Sequence, residues 1–270
     1  MGQLICSRLS PSCLECHFAP VKNCIFCGAR ANSEEHFWPE WALKHLPKTT
    51  LAGFIGKHKD LKFSGDYTVR CVCRECNQHW MSDIETGNIP LLGRMMLDNS
   101  IRLDQPQQLT VASWAVLKAM VLDTTTVSKQ RPLFYTQTER DNLRTSSLLP
   151  PRTFVWLGRF LGLGRSGRSG GILGNLTRPP GICRGHVTTI VMGSVCIQTL
   201  TLHTVPEYSY GTIDIQPTEG PWNALLVSCW PTLPRAEWPP VLAFEESTRP
   251  LLGIGGLHER WQRGDEREFV

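Results

Sequence analysis

Cys24-Ile-Phe-Cys27-Gly28 and Cys71-Val-Cys73-Arg-Glu-Cys76-Asn77 are the two stretches that decide how this chain is organised. Two C-x-x-C pairs, with 45 residues between Cys27 and Cys73, have the spacing of a tetrahedral four-cysteine zinc site. Each pair makes a tight turn that aims two sulfurs at one ion, and Gly28 supplies the positive φ such a turn favours. Cys24, Cys27, Cys73 and Cys76 are therefore expected to hold a structural Zn²⁺. The gap is longer than in compact zinc ribbons, so it must contain structure of its own. Cys71 precedes Cys73 by two residues, where strand alternation would aim both at one face, and it is the rival ligand. Cys13-Leu-Glu-Cys16-His17 repeats the spacing and is formally a haem-attachment sequence, but that chemistry needs export. The reading there is an irregular leader with inert thiols, a second zinc half-site being the alternative.

Between the pairs stands Ser33-Glu34-Glu35-His36-Phe37-Trp38-Pro39-Glu40-Trp41, and after the second pair Asn77-Gln78-His79-Trp80-Met81-Ser82-Asp83-Ile84-Glu85. The order C-x-x-C-G, E-H-x-x-P, C-x-x-C-N resembles the zinc-knuckle branch of the HNH endonucleases, the ββα-metal nucleases. More closely, the two stretches look like bacterial and phage proteins that share E-H-x-x-P-x-W-L and C-N-x-x-W-M-S-x-x-E patterns. The likeness covers roughly residues 22–97.

That resemblance implies a site. Phosphodiester hydrolysis needs a water, a base to take its proton, and a cation to stabilise charge on phosphate and leaving oxygen. Carried over residue by residue, His36 would be the general base, with Glu35 and Asn77 the ligands of a catalytic divalent ion. A carboxylate and an amide oxygen suit a hard cation, Mg²⁺ or Mn²⁺. Cys76, anchored to zinc, would fix Asn77 at the helix start opposite Glu35. The family often has His at Asn77's place, so His79, two residues on, is the substitute ligand. Adjacent strand residues face opposite ways, so Glu35 and His36 can share a site only if the strand bends, and Pro39 fits such an exit. Read one at a time, Glu35 is a surface carboxylate, Asn77 a helix cap and His36 a core histidine. The alternative for the whole is a catalytically inactive zinc-stabilised nucleic-acid-binding module. A thiol-based reductase using Cys71 and Cys73 lacks a base nearby.

The chain has 270 residues, 41% of them hydrophobic, with a net charge of +4 and eleven cysteines. That apolar content excludes a wholly disordered chain. No apolar run reaches the length of a membrane span; the densest, Val111–Leu122, carries Lys118. No secretory signal is legible, so a reducing, cytoplasmic setting is expected, in which the cysteines are no disulfide framework. Residues 142–206 contain no Asp or Glu and seven arginines, leaving −3 for the other 205 residues. A basic segment on a near-neutral body suits a polyanion, here the DNA backbone, with Arg159, Arg165, Arg168 and Arg178 as phosphate contacts.

Composition divides the chain into an irregular leader (1–20), an HNH-like zinc-knuckle module (21–100), a helical connector (101–150), a β-rich module with a basic Gly/Arg loop (151–245) and a charged tail (246–270). Gln107–Asp123 is apolar on almost every side and reads as a buried helix between two modules. Thr136 or Thr138 would cap a second short helix, with Glu139 in its first turn. Gly87 and Pro90 are expected to break the helical spacing after Trp80, whose apolar residues read as core contacts to Trp38 and Trp41. Strands are expected at Thr153–Leu157, Val187–Met192, Val195–Leu202 and Ala224–Trp230. Gly162-Leu-Gly164-Arg-Ser-Gly167 fits a dinucleotide fingerprint, but no helical period follows, so it reads as a flexible basic loop. Trp222, Trp230 and Trp238 read as packing residues. The fold class expected is α+β: a zinc-stabilised ββα-metal module, a helix and a β-rich module.

Overall fold

The computed structural model describes residues 22–46, 50–55, 58–64, 68–126, 132–177, 180–205, 222–245 and 247–248. The leader with Cys13, Cys16 and His17, Arg178, and nearly all of the charged tail lie outside the described residues.

Strand β1 (Ser33–His36) pairs antiparallel with β4 (Thr68–Val72), Glu35 opposite Val69 and His36 opposite Thr68. The register shifts between Ser33 and Glu35, ahead of the Glu35-His36 step, which itself stays in regular register with Val69 and Thr68. Between them the chain forms α1 (Glu40–Leu43) and a hairpin of β2 (Thr50–Ile55) and β3 (His58–Ser64). That hairpin is the extra structure within the gap between the cysteine pairs. Next, α2 (Arg74–Cys76) leads through a widened π-type turn, Asn77–Met81, into α3 (Ser82–Met96).

Gly87 and Pro90 do not break this run, contrary to the sequence reading: α3 passes through both. Proline inside a helix costs about 3 kcal/mol. Leu91, Leu92, Met95 and Met96 are buried just beyond it, each stabilising by about 1.5–3 kcal/mol, so packing wins.

Strand β5 (Ile101–Leu103) precedes α4 (Gln105–Asp123), which starts on a reciprocal cap between Asp104 and Gln107. Every α4 residue from Val111 to Asp123 is buried, as an all-round apolar helix requires. Thr136 caps α5 (Gln137–Ser146) in a second reciprocal cap with Glu139.

The C-terminal half is built on β6 (Thr153–Thr177), β7 (Pro180–Val205) and β8 (Leu226–Trp230), all antiparallel in the order β7-β6-β8. A short α6 (Trp222–Leu225) leads into β8, and β9 (Ala236–Trp238) pairs with β5. The glycine-rich stretch is thus a strand and not a flexible loop, with Gly164–Thr177 paired to Pro180–Gly193. Glycine is needed there for close approach. A Cβ on Gly167 would come within 2.2 Å of the Phe37 ring. The two strands read around Gly193 are likewise one. Gly193 has φ 61, and a Cβ on it would lie 2.4 Å from the Met96 carbonyl oxygen, so only glycine passes under α3.

The result is a mixture of helices and antiparallel sheets. One core joins Phe37 and Trp38 through α3 and α4 to β6, β7 and Trp238. A second cluster packs Cys24–Phe26 and Cys71–Cys73 against Val116, Leu117 and Met120 of α4. Trp238 is buried and its indole N–H donates to the Gly158 oxygen at 3.3 Å, so it packs as expected. Among the described residues no helix is long and apolar enough to cross a membrane.

Candidate functional site

The two turns meet as their spacing implies: the sulfurs of Cys24, Cys27, Cys73 and Cys76 all lie within 4.8 Å of one another. Zinc about 2.3 Å from four tetrahedral sulfurs sets them about 3.8 Å apart, and Cys27 and Cys73 stand at 3.5 Å. The donor set therefore fits a structural zinc. The Cys76 N–H donates to the Cys73 sulfur at 3.4 Å. Burial opposes the Cys73 thiolate, but that N–H and the neighbouring thiols outweigh it and lower its pKa. Cys27 alone of the four is exposed. Cys71 is outside the cluster. Burial pushes its thiol up to about 12, and its carbonyl accepts the Ile25 N–H at 3.0 Å, which ties β4 to the first knuckle. Among the described residues no other group of His, Cys, Asp or Glu side chains gathers like this one.

Asn77 follows Cys76 directly, so the knuckle sets where its side chain lies. Its Nδ2 donates to Ser33 Oγ and to the Glu34 oxygen, each at 3.0 Å. Both amide hydrogens are thereby directed at β1, so Oδ1 is the atom with which Asn77 could hold a cation. The helix start and the Glu35-His36 strand are thus tied together, two residues from His36. Glu34 holds the neighbouring strand: its carboxylate accepts from Thr68 at 3.0 Å and Arg70 at 3.2 Å.

Glu35 is a buried carboxylate, not the surface one of the single-residue reading. It is ion-paired with Lys118 of α4. The same ammonium donates to Glu85 Oε1 at 2.6 Å and to the His36 main-chain oxygen at 2.7 Å. Burial opposes the Lys118 charge, but the two carboxylates outweigh it and hold its pKa above the ordinary lysine value. One cation cannot satisfy two carboxylates, so burial still raises Glu35 against the pull of Lys118. Sequence reasoning missed Lys118 and the pairing of Glu85. The signal was present, because a charge in a helix apolar on every side must find partners inside.

His36 is half-buried, with Thr68 opposite it and Lys118 on its carbonyl. His79 is exposed, lies where the helix departs from regular geometry (φ −111, ψ −105), and pairs with Glu75 at 3.3 Å. Asn77, and not His79, is the residue bound to β1. Of the arginines, Arg159 Nε donates to Asp98 at 2.9 Å. Arg165 is buried, with its guanidinium 4.9 Å from the Trp38 ring centroid. Both have internal partners. Arg168 sits in β6 opposite Thr189.

The chain was compared with protein-family models, curated proteins and solved structures, and none matches it.

Proposed function

We propose that the unit of β1, β4 and the following helix is a metal-dependent endonuclease that hydrolyses DNA phosphodiester bonds. The observation that carries this reading is the double hydrogen bond from Asn77 Nδ2 to Ser33 and Glu34. It joins the knuckle-borne helix start to the strand of Glu35 and His36, in the order β, β, helix that the resemblance implies. Glu35 and Asn77 Oδ1 are oxygen donors fit for Mg²⁺ or Mn²⁺. Such an ion supplies positive charge against the phosphate and the leaving oxygen. In this reading His36 accepts a proton from the attacking water on its imidazole. Lys118 holds the His36 backbone through its carbonyl, and the Asn77 amide keeps strand and helix in register. The zinc acts mechanically, through the placement of Asn77.

A second reading, a zinc-stabilised nucleic-acid-binding module without cleavage, is favoured by the ion pair of Glu35 with Lys118, which already engages the carboxylate. Plasmid nicking with Mg²⁺ or Mn²⁺ separates the two. The nuclease reading expects nicking by the wild type and its loss in His36→Ala. Equal nicking by both removes His36 as base, and DNA retention without nicking in either selects the second reading.

A further inference from the structure

Lys118 is fully buried within α4, all of whose residues from Val111 to Asp123 are buried. A protonated lysine carries three N–H donors and accepts nothing, and its Nζ meets three oxygens: Glu35 Oε1, Glu85 Oε1 and the His36 carbonyl. Two carboxylates and a carbonyl are the donors that hard divalent cations take. In this cage the cation is an ammonium delivered by α4 to oxygens of β1 and α3. With both carboxylates ionised the cage carries −1, and Glu85 is its more open end, 25% exposed against 6% for Glu35.

We infer that Lys118 is the built-in cation of this cage and a positioning residue for the β1 site: it orients Glu35 and the His36 backbone, and its charge limits how tightly Glu35 holds a divalent ion. The roles of Glu35 and His36 in hydrolysis rest on the nuclease reading. The competition of an ammonium with a metal ion for Glu35 rests on charge and contact alone.

The test is Mn²⁺ binding to the zinc-loaded full chain, followed by the electron paramagnetic resonance of free Mn²⁺. The wild type is compared with Lys118→Met and with Lys118→Met/Glu85→Gln. Removing a unit positive charge in contact with Glu35 tightens Mn²⁺ binding on the order of tenfold. The double variant restores the wild-type cage charge and guards against a single variant that does not fold. It tightens binding severalfold, because the ammonium lies nearer Glu35 than the second carboxylate does. A lysine that only braced the fold would leave binding unchanged or weaken it. That result, no Mn²⁺ binding by any of the three proteins, or failure of both variants to fold overturns the inference. Plasmid nicking is the separate readout. Tighter Mn²⁺ binding in the variants with no nicking by the wild type rejects the nuclease reading and keeps the role of Lys118. Nicking by the wild type with unchanged or weaker Mn²⁺ binding in the variants does the reverse.

Discussion

Zinc removal, by a chelator or by Cys76→Ser, acts on a cross-link between two distant parts of the N-terminal half. Cys27 and Cys73 lie 46 residues apart in sequence and 3.5 Å apart between sulfurs. A cross-link closing a loop of that length removes about 13 cal/mol/K of chain entropy from the unfolded state, or about 4 kcal/mol at room temperature. Losing the metal should therefore destabilise the unit by at least about 4 kcal/mol, since metal–ligand bonding adds to that figure. In a chain of this size the loss lowers the melting temperature by about 10 °C. The fluorescence of Trp80, whose ring meets Phe26 edge-on at 4.8 Å beside the cluster, reports the transition. Amide exchange at residues 33–36 should rise at the same time, because Asn77 holds that strand only while Cys76 is anchored. Complete zinc loss with an unchanged melt and unchanged exchange would refute the reasoning, and would leave the four cysteines as ordinary thiols.

Other outcomes are accessible to simple measurements. Gly167→Ala puts a Cβ about where the Phe37 ring now lies and should destabilise by about 1–3 kcal/mol; a thermal melt equal to wild type contradicts the close packing. Arg159→Ala removes an exposed pair with Asp98 and should cost no more than about 1 kcal/mol, leaving DNA retention on a filter unchanged, because that guanidinium already has a carboxylate. Burial opposes the Glu139 charge, but hydrogen bonds from His203 and Thr136 outweigh it and hold its pKa below the ordinary 4.5. Its stabilisation is therefore present above pH 4.5 and fades as pH falls through the depressed value. Glu139→Gln should flatten the melting temperature between pH 6 and pH 3 relative to wild type, and parallel curves would exclude this role.

The buried part of α4, the threonine cap of α5 and the four-cysteine cluster were legible because each rests on short-range chemistry. Thr136 reaches Glu139 three residues away, and each C-x-x-C makes its own turn; the Asp104 cap of α4 was not read. The strand of residues 158–177 was not legible. Its glycines read as flexibility, but Gly167 admits Phe37, a residue 130 positions away in sequence, and Gly164 lies against Phe160 and Val191. The persistence of α3 through Pro90 was hidden for the same reason, since the burial that outweighs the proline comes from β7, α4 and Trp41.

By itself the sequence determined which four cysteines gather into a cluster that could hold a metal, since that follows from residue types at close spacing. Only the tertiary structure decided what Glu35 faces. Its partner Lys118 lies 83 residues away, and the ion pair arises because α4, buried on all sides, has no solvent to receive that ammonium. A buried charge must be met by whichever carboxylates the fold brings to it, and that choice is not written in either local motif.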